Sequence, residues 1–72
     1  MIRLTFTDER KQVKILGEAE TAEELYACLY AHAKRLFLHP TIVKPGNLQA
    51  PHSRFTIGQT KSGCAYEMEN IG

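Results

Sequence analysis

Between Ala22 and Leu38 the apolar residues recur every three or four positions, whereas on either side of that segment they alternate one by one. A period near 3.6 gathers apolar side chains on one face of a helix, and a period of two does the same for a strand. A chain that changes period twice is expected to be an α+β fold with one helix between two β segments. Because each β segment alternates, its sheet has one buried face and one open face, as antiparallel sheets do.

The first segment places Ile2, Leu4 and Phe6 on one side and Arg3 and Thr5 on the other. After the polar stretch Thr7 to Lys11, Val13 and Ile15 alternate with Gln12 and Lys14, so residues 2–16 predict a strand hairpin. The helix is predicted over 22–38. Thr21 and Glu24 have the spacing of a capping box, acidic Glu18, Glu20, Glu23 and Glu24 gather at its start, and Lys34, Arg35 and His39 at its end. Pro40 then excludes the helical conformation from the residue before it. At ~100° per residue, Ala22, Leu25, Tyr26, Leu29, Tyr30, Ala33, Leu36 and Phe37 share an arc of about 140° that would lie on the sheet.

Residues 39–52 hold all three prolines and predict a long loop. Within it Lys44-Pro45-Gly46-Asn47 has the signature of a type II turn, and Thr41-Ile42-Val43 that of a short strand or an apolar patch. Loops of this length in small domains are often functional. Period two returns in Phe55 and Ile57 and in Cys64, Tyr66 and Met68, a second strand hairpin over 53–69. The expected architecture is ββαββ: an antiparallel sheet with one helix packed on one face and the opposite face uncovered.

At 72 residues the chain has room for a single small domain. Such a domain buries only about 60% of the surface of its unfolded chain, so disulfides, a metal or a partner chain usually supplement it. Cys28 and Cys64 allow at most one bridge and read more simply as free thiols in a reducing compartment. No apolar run approaches the ~20 residues that span a bilayer, and no leader pattern opens the chain. The expectation is a cytoplasmic protein without a membrane association, supplemented by a protein partner or by a second copy in a homodimer.

Chemistry-bearing constellations are sparse. Cys28 and His32 lie four apart, on one side of the helix, and are the alternative donors for a metal, but no Cys-x2-Cys turn accompanies them and no metal or other cofactor is expected. A nucleophilic thiol would need an adjacent base and a pocket, and Cys28 is far from a helix N-terminus. Glu67 and Glu69 share a strand face, a pattern that suits a solvated surface. With no phosphate-binding, nucleophile-elbow or metalloprotease motif, the chain reads as not an enzyme and without catalytic residues.

Charge is informative in its distribution. The net charge is only +1, yet from Leu25 to Ser62 every charged residue is basic: Lys34, Arg35, Lys44, Arg54 and Lys61. With the helix on one sheet face, Arg3, Lys14 and Arg54 are expected to project from the other beside Thr5 and Thr56. That surface would suit phosphates, although no aromatic residue falls on it for base stacking. Tyr26 and Tyr30, at one edge of the helical arc, are candidate anchors for a protein, since tyrosine combines apolar area with a polar tip. In size and architecture the chain is similar to small accessory proteins of phages and mobile elements that inhibit host or defence complexes. The reading is therefore a non-enzymatic protein-interaction module, an inhibitor or regulator binding a host protein or nucleoprotein. Arg3, Lys14, Arg54, Lys34, Arg35, Tyr26 and Tyr30 would meet the partner. A nucleic-acid-binding protein using the open sheet face is the alternative.

Overall fold

The alternation of Ile2, Leu4 and Phe6 becomes strand β1 (Ile2–Thr7), whose three apolar residues are all buried. A loop closed by Asp8 follows: its carboxylate accepts from the amides of Arg10 and Gln12, each at 2.9 Å. Strand β2 (Val13–Ala19) then returns antiparallel to β1, running three residues past the predicted end. Helix α1 (Glu23–Arg35) crosses over it, and β3 (Thr41–Ile42), β4 (Arg54–Gln59) and β5 (Ala65–Asn70) complete the chain. The computed structural model describes residues 1–46 and 48–72, so the turn expected at Lys44 to Asn47 lies outside the described residues.

All pairings are antiparallel, in the order β2-β1-β5-β4-β3. The first and last strands thus sit side by side at the centre, and the α+β architecture with one helix on the sheet is observed. Thr41 and Ile42, read as a strand or a patch, add a fifth strand at the edge. Leu25, Leu29 and Ala33 of α1 close over Leu4, Phe6, Ile57, Tyr66 and Met68, with Leu48 of the long loop covering the remainder. That loop is tied down by Asn70, whose side-chain amide donates to the carbonyls of Leu48 and Gln49.

Half of the predicted capping box forms: the Glu24 carboxylate accepts from the Thr21 amide at 3.1 Å, while no side chain caps the helix start. The helix ends at Arg35 rather than 38. Leu36 is its C-cap, and Phe37 adopts a left-handed φ of 57°. The Phe37 amide donates to Lys34 O at 3.2 Å and the Leu38 amide to Ala33 O at 2.8 Å, the two bonds of a Schellman motif. Leu38 folds back onto the core, whereas Leu36 and Phe37 leave the predicted apolar stripe for solvent.

Strand β2 differs most from the sequence reading. Leu4 pairs with Gly17 but Thr5 pairs with Ile15, so Leu16 is an extra residue in a bulge. A one-residue shift exchanges the two faces of a strand. Leu16, Gly17 and Ala19 therefore lie beneath the helix, while Val13 and Ile15 emerge on the open face at 66% and 54% exposure.

Candidate functional site

The bulge decides where the cations lie. Lys14 pairs with Phe6, a residue of the helix-covered face, and so does not join Arg3 and Arg54 as expected. Across the open face, one row reads Glu18, Arg3, Glu69, Arg54 on β2, β1, β5 and β4. Arg3 Nε donates to Glu18 Oε2 at 2.8 Å. Arg54 Nε lies 3.4 Å from Glu67 and its Nη2 3.5 Å from Glu69. Among the described residues the open face thus carries two guanidiniums against three carboxylates. The basic sheet surface is not formed, because each guanidinium meets carboxylates from the strand paired with it across the hairpin.

The basic residues that do gather sit beside the helix C-terminus. Lys14 and Arg35 join His32 in lining two adjoining clefts of about 350 and 240 Å³, with Leu36 at the wall of the larger. The His32 ring packs against Phe6 at 4.6 Å between centroids and meets Tyr66 edge-on. Its Nδ1 lies 2.8 Å from the Tyr66 hydroxyl. Burial, followed by the nearby charges of Lys14 and Arg35, holds the His32 imidazole below its ordinary pKa. Burial also pushes Tyr66 up to about 12, with smaller contributions from Cys64 and Cys28. A neutral His32 accepting the Tyr66 proton at Nδ1 satisfies both groups.

This end of the molecule also carries its most exposed aromatic side chain among the described residues. Phe37 is 87% exposed, next to Leu36 at 46%. Lys34 and Arg35 immediately precede them, and the carbonyl end of the helix faces the same way. Sequence reasoning assigned Phe37 to the buried stripe; only the left-handed turn after Leu36 puts it outside.

Tyr26 and Tyr30 do form a pair, stacked at 6.3 Å and 28°. Tyr30 is exposed, but the Tyr26 hydroxyl is buried without a hydrogen-bond partner among the described residues. Burial, Tyr30 and Glu23, in that order, raise its pKa. Tyr26 lines a groove of about 990 Å³ between the start of α1 and Lys44, Pro45, Gly46, Leu48 and Gln49. The two candidate metal donors face different partners: the Cys28 thiol donates to Leu16 O at 3.5 Å, and His32 is held by Tyr66. No cluster of three or more His, Cys, Asp or Glu suited to a metal occurs among the described residues. Nor is any described helix long and apolar enough to cross a membrane.

Comparison with protein-family models, curated proteins and solved structures finds no match to this chain.

Proposed function

We propose that this chain is a small non-enzymatic protein-interaction module, an inhibitor or regulator that holds an acidic partner protein against the C-terminal end of its helix. The observation that carries this reading is Phe37. The position after a helix C-cap favours glycine, and a left-handed phenylalanine there costs roughly 1–2 kcal/mol. Its ring is also left almost wholly in water. Backbone strain of this kind clusters at functional sites, and Phe37 stands beside the exposed Leu36 rather than alone. Lys34 and Arg35 precede it in the chain and Lys14 lines the cleft of Leu36 beside the single carboxylate of Asp8, a net positive charge that steers an acidic surface, while Phe37 and Leu36 supply apolar anchors.

The nucleic-acid alternative draws no support from the open sheet face, where carboxylates outnumber guanidiniums. The test is affinity capture from a host lysate with the wild type, Phe37→Ser and the double variant Lys14→Glu, Arg35→Glu. A stoichiometric protein recovered by the wild type and lost with both variants supports the reading. Recovery unchanged by either variant overturns it.

A further inference from the structure

The open face of the sheet has a symmetry of its own. The row Glu18, Arg3, Glu69, Arg54 alternates in sign across four strands. Read backwards, it is its own complement. We infer that this face is where two copies of the chain meet, sheet against sheet, about a two-fold axis running parallel to the strands between β1 and β5. This lies beyond the helix-end reading and uses the opposite side of the molecule.

Such an axis reverses the order of strands and keeps each row at its own height. Glu18 of one copy then faces Arg54 of the other, Arg3 faces Glu69, and both contacts occur twice. A two-fold axis across the strands would instead lay Glu67 over its own copy and bring Val13 over Glu18, so the charges select the first arrangement.

The apolar residues agree with that choice. Val13 and Ile15 are exposed on edge strand β2, and Val43, 51% exposed, flanks Thr56 at the other edge, where its amide bonds Ile57 O at 2.9 Å. Reversal sets Ile15 of each copy above Thr56 and Val43 of the other. Four strands ~4.8 Å apart and about six residues long present a face of roughly 20 by 20 Å. Two such faces bury roughly 800 Å² in total, below the ~1,200 Å² of stable specific interfaces, so a weak, concentration-dependent association is expected.

The test is sedimentation equilibrium from ~1 µM to ~1 mM on the intact chain. The wild type should move from one copy to two across that range. Ile15→Lys, at a position exposed in the single copy, should stay monomeric while keeping its circular dichroism. Glu18→Arg and Arg54→Glu should each weaken self-association at least about tenfold, since each sets like charges opposite one another twice. Mixed in equal amounts, these two variants should form a heterodimer, because one contact is then reversed in sign, the other is native, and both are complementary. A wild type that remains single throughout overturns the proposal. So does a dimer indifferent to Ile15→Lys and Glu18→Arg, or Ile15 methyl resonances that shift only when an oligonucleotide or another protein is added.

Discussion

The buried hydroxyl of Tyr66 meets Nδ1 of His32 at 2.8 Å, and through this contact the central strand β5 holds the last turn of the helix. Tyr66 is fully enclosed, so water cannot replace the partner if it is lost. Tyr66→Phe leaves His32 Nδ1 without its donor and should destabilise the fold by about 1 kcal/mol. For a domain of this size that is a fall in Tm of roughly 4–8 °C, readable by circular dichroism.

The same pair makes stability depend on pH. His32 binds its proton less readily in the folded chain than in the unfolded one, because burial and the charges of Lys14 and Arg35 oppose the imidazolium. Below its unfolded pKa near 6.5 the unfolded state therefore takes up the proton first. Stability from this group is complete above about pH 6.5 and declines as pH falls from there toward the folded value. A series of melts from pH 8 to pH 5 should show that decline, and His32→Gln should remove its share of the slope.

Replacing Phe37 with glycine should make the protein more stable. The left-handed backbone carries no penalty in glycine, and no buried contact is lost at a side chain 87% exposed. A gain of about 1 kcal/mol is expected on urea unfolding. The stabilised variant should also lose the acidic partner proposed for the helix end, separating folding from binding in one substitution.

Gly63 supplies the opposite case. It has a φ of 97° in the turn between β4 and β5, with open space where a Cβ would be. Gly63→Ala should cost about 1–2 kcal/mol through backbone conformation alone, with an unchanged denaturant slope.

Much of the fold was legible because its pairing is uninterrupted where it matters. Ile2, Leu4 and Phe6 and Cys64, Tyr66 and Met68 alternate without a break, so their buried face follows from sequence. Lys14 and Ile15 were misplaced because Leu16 bulges, and a bulge leaves no mark in a two-residue period. Phe37 was misplaced because helical spacing continues through it, while the capping bonds that end the helix belong to the backbone. Arg54 looked unopposed because Glu67 and Glu69 reach it from the neighbouring strand, beyond an intervening turn. What the sequence hid at the candidate site was phase and pairing, both properties of the assembled sheet.

The two amide bonds that close the helix hold the backbone at Phe37 in one conformation before any partner arrives. Docking the ring then restricts little beyond its two side-chain torsions, so the ordering entropy that weakens recognition by flexible loops is already spent in folding. A partner of the helix end would meet a rigid probe, and its selectivity would come from the shape of the pocket it offers.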